Sequence, residues 1–193
     1  MNDDTNLIDI SMLQQLQDQF CCADHLYLMC VDKNKGVVTK PFGTEEQVGF
    51  LRTQVDKHAY MELVLQMQHD RMETVVERET AQDFMKLCAV STKVEDQLQV
   101  VWIVMGIIKE RLTPEVHLPE GMLITTEEQF YASVEFLSLL SGQLFESRRN
   151  QMIAQKAVEK SSVSELAMEY QLHRSRAMTE ILQMMDSDNS FEK

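Results

Sequence analysis

Glycine and proline are scarce, six and three in 193 residues. So little glycine leaves no material for a phosphate cradle, and none of G-x-G-x-x-G, G-x-x-x-x-G-K-[ST] or G-x-S-x-G occurs. The repeated C-x-x-C and H-E-x-x-H spacings that announce metal centres are missing as well. What stands nearest is Cys22-x-x-His25, with isolated His58 and His69. A metal site, or a haem held by one histidine, is therefore only a minor alternative; the cofactor is unknown and none is required. The four cysteines, Cys21, Cys22, Cys30 and Cys88, form no paired framework, and reduced thiols are expected. Basic clusters are lacking too. Eighteen Lys and Arg are scattered among 31 Asp and Glu, for a net charge of −13, which disfavours direct nucleic-acid binding. No apolar run approaches the ~20 residues of a membrane span. The opening "MNDDTNLIDI" is acidic and lacks the basic-then-apolar pattern of a secretory signal. A soluble, cytoplasmic chain with no membrane span is the expectation, and no catalytic residue stands out, since the carboxylates have no paired context.

What is present is a short, very apolar stretch in a chain otherwise rich in Gln, Glu and Lys. "QLQVVWIVMGIIKER" (97–111) holds nine apolar residues in succession, Val100 to Ile108. β-Branched and apolar side chains bounded by a turn and by charges describe an interior strand covered on both faces. Val100, Trp102, Val104 and Gly106 would point one way, Val101, Ile103, Met105 and Ile107 the other. "FMKLCAVSTKV" (84–94), then "ED", make it the second arm of a hairpin, although Glu95-Asp96 is not the favoured Asn-Gly turn.

Around this hairpin the pattern alternates helix and strand. Residues 6–23 have helical spacing, with Asp9 or Ser11 available as N-cap. "HLYLMCVD" (25–32) reads as a strand, "KNKG" (33–36) as a turn and "VVTKPF" (37–42) as the returning strand, ended or placed at an edge by Pro41. Thr44 and Gln47 have capping-box spacing and open one long helical pattern through Val48, Leu51, Val55, Ala59, Leu63 and Met67. "METVVERE" (72–79) is a third strand. The prediction is an α+β fold: a single antiparallel sheet of about five strands, flanked by helices.

"LTPEVHLPEG" (112–121) breaks the chain into a loop. Thr125 and Glu128 again have capping-box spacing, and from there to about Met185 no proline interrupts. Phe130, Val134, Leu137, Ser141 and Leu144 step by four and three; Val163, Leu166, Tyr170, His173 and Ala177 resume the stepping. A narrow seam on so long a helix favours pairing with a second copy. The dimer-helix candidates are Val134, Leu137, Leu144, Val163, Leu166, Tyr170 and Ala177. A break near "EKSSVSE" into two helices is the alternative. Residues 1–145 are expected to form one domain and 146–193 a helical linker or coiled coil.

A small sheet with helices before and after it can enclose a pocket on one face. Met29, Cys30, Met61, Cys88 and Trp102 are the candidate ligand-binding residues, being soft, apolar or aromatic as small-molecule sites tend to be. Packing of the same residues into an ordinary core is the competing reading, and the fourteen methionines suit either use.

The stretch "LQQLQDQFCCADHLYLMCVDKNKGVVTKP" resembles the opening helix and first hairpin of bacterial sensory domains of the PAS/GAF superfamily, PocR-like domains in particular. "AVSTKVEDQLQVVWIVMGII" is similar to their late hairpin. The likeness covers about residues 7–145. The family's cysteine-rich middle segment is not recognisable between Gly43 and Met72, and the Asn-Lys-Phe-Asp-Glu motif of cyclic-nucleotide-binding relatives is absent. "SRAMTEILQMMDSDNSFEK" (175–193) is similar to the start of a further GAF-like module. The resemblance implies a piece of a longer signalling protein: a non-enzymatic sensor that binds a small ligand, dimerises through its last helix and passes its state to a kinase, cyclase or similar output beyond Lys193. A ligand-free dimerisation or scaffold domain of the same fold is the rival.

Overall fold

The computed structural model describes residues 9–32, 34, 36–55, 57–69 and 74–188, with side-chain surroundings omitted at 57–58, 162–167 and 175–188. The expected turn at 33–36 and the opening of the strand at 72–79 lie partly outside the described residues. Four strands form a single antiparallel sheet in the order β1-β4-β3-β2: β1 is Tyr27–Asp32, β2 Val75–Arg78, β3 Met85–Val94 and β4 Gln97–Ile107. The helices are α1 (Ile10–Asp24), α2 (Glu45–Gln54), α3 (Lys57–His69) and α4 (Glu127–Asp188), with a short 3₁₀ turn at Lys109–Arg111. Residues 1–147 make one compact unit and 148–193 a second. Among the described residues, no helix is long and apolar enough to cross a membrane.

β4 is the interior strand its composition demands. It lies between β1 and β3, and Val100, Val101, Trp102, Ile103 and Val104 are all buried. Alternation divides its side chains between two cores. Val100, Trp102, Val104 and Ile108 pack with Leu13, Leu16 and Phe20 of α1 and with Phe130, Val134 and Leu137 of α4. Val101 and Ile103 pack on the reverse face with Leu63, Val64 and Met67 of α3. A third cluster closes one end of the sheet, where Ile107 and Tyr27 meet Leu51 of α2 and Met122 of the loop before α4.

Local chemistry explains the element ends. Asp9 is the N-cap of α1, its carboxylate accepting from the amides of Ser11 and Met12 at 3.1 and 3.2 Å. The box between Thr44 and Gln47 is present in both directions. At the start of α4 the cap is Thr126 and not Thr125, because the Gln129 amide donates to Thr126 Oγ1 at 3.1 Å. Thr125 is held instead in a bridge with Ile108. Between β3 and β4, Glu95 and Asp96 both adopt left-handed φ, 49° and 60°. Those values make a two-residue type I′ turn, whose twist matches the strands it joins.

Two expectations are corrected. The fifth strand at 37–42 is not formed; only an isolated bridge, Val31 to Val37, remains. The Val38 amide still donates to Cys30 O at 2.8 Å, but the Cys30 amide is taken by the Thr39 hydroxyl at 2.9 Å. A side chain thus replaces the backbone carbonyl that a ladder needs. Thr39 donates in turn to Gln17 Oε1, and Gln17 Nε2 donates to Lys40 O at 2.6 Å, so α1 and not a sheet partner holds this segment. The single helix expected from 44 to 67 is two. Val55 is extended, φ −107° and ψ 117°, and turns the chain between α2 and α3.

Gly106 sets how closely α4 approaches β4. A Cβ built there would lie 2.4 Å from Cδ2 of the Phe130 ring, a distance that forces the ring or the helix to move. Gly142 of α4 has nothing within 4 Å of its own Cβ position. Gly106→Ala is therefore expected to lose about 1–3 kcal/mol by overpacking, and Gly142→Ala to gain up to about 1 kcal/mol through helix propensity. Denaturant unfolding of the two variants checks the opposite signs.

Candidate functional site

α3 lies over β2, β3 and β4, and α2 packs at the end of the sheet through Leu51. The bend at Val55 leaves part of the β1–β4 surface without a helix directly over it. A cavity of about 390 Å³ opens there, within the size range of small-molecule sites. Met29 of β1 with Ile103 and Met105 of β4 form its floor. Val48, Leu51 and Arg52 of α2, with Val55 just after it, make one wall, Tyr60 and Met61 of α3 another. Val37, Pro41 and Phe42 complete the rim. The segment that fails to become a strand thus serves as a side of the cavity.

The lining is apolar apart from Arg52 and the two tyrosines, Tyr27 and Tyr60. The Tyr60 hydroxyl is buried and has no hydrogen-bond partner among the described residues. Burial, with the Asp32 carboxylate adding to it, raises its pKa above the usual phenol value, so it is a neutral donor. Among the described residues Arg52, in the last turn of α2, is the single charged residue of the lining and has no carboxylate partner.

Of the five candidate residues, Met29 and Met61 line this cavity. Cys30, Cys88 and Trp102 do not; they are buried in the opposite core, under α1 and α4. The period of a strand dictates this separation. Adjacent residues such as Met29 and Cys30 face opposite sides, and Cys30 pairs across the ladder with Trp102. The same parity rule could have selected Ile103 and Met105 from the sequence. Arg52 was also visible, as a charge within the Val48, Leu51, Val55 stripe.

The dimer-helix candidates separate as well. Val134 and Leu137 are buried in the chain's own core, and Leu144 is partly buried against it. Over this part of α4 the expected pairing seam is occupied by the sheet. Tyr170 is 71% exposed; the side chains of Val163, Leu166 and Ala177 lie outside the described residues.

A second, polar cluster ties α4 to the β2–β3 edge. Lys86 Nζ lies 2.6 Å from Glu77 Oε1, donates to the Tyr131 hydroxyl at 2.8 Å and approaches Glu127 at 3.5 Å. Arg111 meets the same Glu127 at 2.6 Å. Glu77 and Tyr131 raise the Lys86 pKa, which keeps it a cation and unsuited to act as base or nucleophile. Among the described residues no three His, Cys, Asp or Glu side chains come together as metal ligands would.

No protein-family model matches the chain, and no curated protein matches it in sequence.

The thiols report on the placement of the two cores. Burial pushes Cys21 and Cys88 up to about 12 and raises Cys30 further, whereas Cys22 is exposed. Ellman's reagent at neutral pH is expected to modify Cys22 alone in the native protein, and the other three only after denaturation, because the thiolate is the reacting species. Rapid native labelling at Cys30 or Cys88 would place them on an accessible wall.

Proposed function

We propose that residues 1–145 are a cytoplasmic sensory module of PAS/GAF type from a bacterial signalling protein, not itself an enzyme, which takes up a small molecule in the cavity beside β1 and β4. The observation that carries this reading is the cavity: about 390 Å³ lined almost wholly by apolar side chains next to the most constrained strand of the sheet. A wall residue also supports a relay. Tyr27 lines the cavity, accepts the Leu123 amide at 2.9 Å and lies 3.3 Å from Met122 Sδ, immediately before the exit helix. A ligand that favoured one position of Tyr27 would bias how α4 begins, and through α4 an output module following this segment. Binding shifts such an equilibrium only by the ligand's differential affinity for the two states.

Native mass spectrometry of protein purified from cells is expected to show a small-molecule adduct. Met61→Trp, which fills the cavity from α3, should abolish the adduct while leaving the fold intact. Wild-type protein free of any adduct, unresponsive to a broad metabolite screen, would leave the ligand-free scaffold reading.

The scaffold reading has its own support. Ile153, Val158, Met168, Tyr170 and Leu172 are exposed along α4, apolar area that association with a second copy would remove from water. A dimer through α4 belongs to both readings. Light scattering after size exclusion is expected to give a dimeric mass for the full chain and a monomeric mass after deletion of residues 148–193; a monomeric full chain at high concentration removes the dimer.

A further inference from the structure

We propose that the ligand of the β1–β4 cavity is an amphipathic carboxylic acid, its apolar body over Met29, Ile103 and Met105 and its carboxylate held by Arg52 at the mouth. This rests on the cavity being a ligand site and adds the chemical class. The chain carries 31 acids against 18 Lys and Arg, so an acidic ligand needs a local cation to hold it. Arg78 pairs with Glu62, and Lys86 and Arg111 with Glu77 and Glu127. Arg52 has no such partner among the described residues, and it belongs to the wall of an otherwise apolar cavity.

A guanidinium presents a fork of donors that fits a carboxylate. Arg52 and the apolar side chains of β1 and β4 line the same space. An anion with a hydrocarbon body answers to both. A cationic ligand would be repelled by Arg52, and a neutral hydrocarbon would leave the guanidinium without an anion. At interior packing density the cavity would take a molecule on the order of ten to twenty non-hydrogen atoms.

Isothermal titration of the full chain with octanoate, 1-octanol and octylamine tests the class. Octanoate is expected to bind about tenfold more tightly than octanol, octylamine more weakly than either, and the acid-to-alcohol ratio should shrink in high salt because Arg52 is at an exposed mouth. Arg52→Gln should bring the ratio to about one, and Met61→Trp should block octanoate. Equal binding of acid and alcohol, or a ratio unmoved by Arg52→Gln, overturns the carboxylate assignment while leaving a ligand cavity. Octanoate binding that survives Met61→Trp overturns it by locating the acid elsewhere. Absence of binding by all three probes to the wild-type chain overturns the assignment and counts against the receptor reading with it.

Discussion

β4 carries water-averse side chains on both faces, and the layering of residues 1–147 follows from the need to cover them. Nothing along Val100–Val104 can meet solvent without exposing Val, Trp or Ile, at about 25 cal/mol per Å² of apolar surface. The hairpin with β3 and the pairing with β1 satisfy its backbone. Two separate sets of helices then satisfy its side chains: α1 and α4 over Trp102, α3 over Val101 and Ile103. Gly106 is the one place on the strand where a side chain is given up, and the Phe130 ring fills that space.

Coverage of the two faces is unequal, and the inequality makes the cavity. On the α1–α4 face, large side chains interdigitate, and Thr92 and Ser141 close a buried hydrogen bond at 3.0 Å between β3 and α4. On the other face α3 extends over β2, β3 and β4, while β1 faces a segment that never becomes a strand. Thr39 is the reason. By putting its hydroxyl on the Cys30 amide and its proton on Gln17, it satisfies the local donors without a ladder. The residues after it are then free to run as the rim that includes Pro41 and Phe42, where Pro41 could not have donated in any case.

The parts that were legible in the sequence are those where composition and period agree. β4 could be read because a β-branched run closed by charges has one tolerable placement in water, and its two-faced alternation in the structure is the one read from residues 100–107. The capping box at Thr44 was equally plain. Other features gave signals shared by two structures. The stripe through Phe130, Val134 and Leu137 looks the same whether a second copy or the chain's own sheet covers it, and here the sheet does. The α2–α3 break has no glycine or proline to mark it, and Val55 keeps the helical stripe in register across a residue that is itself extended. The fifth strand was lost to a side-chain hydrogen bond that no periodicity encodes. Of the five site candidates, Cys30, Cys88 and Trp102 lie on the face opposite the cavity, because softness of side chain was weighed without strand parity.

The division of labour within the proposed site follows from magnitudes. Between the cavity and α4 stands a short succession of bonds. Tyr27 holds Leu123, Thr125 exchanges backbone hydrogen bonds with Ile107 and Lys109 at 2.9 and 2.8 Å, and Thr126 caps the helix. Moving a two-state element from 1:99 to 99:1 takes about 5.5 kcal/mol of differential binding. A net hydrogen bond supplies about 1 kcal/mol, and an exposed guanidinium adds little that differs between states, since it can follow the carboxylate in either one. The remainder has to come from apolar area buried in one state and not the other, on the order of 200 Å² at ~25 cal/mol per Å². An acidic head group would therefore select and orient the ligand, whereas the hydrocarbon body against Met29, Ile103 and Met105 would do the switching. Signalling strength in such a module should accordingly track the length and shape of the ligand's body more closely than the strength of its contact with Arg52.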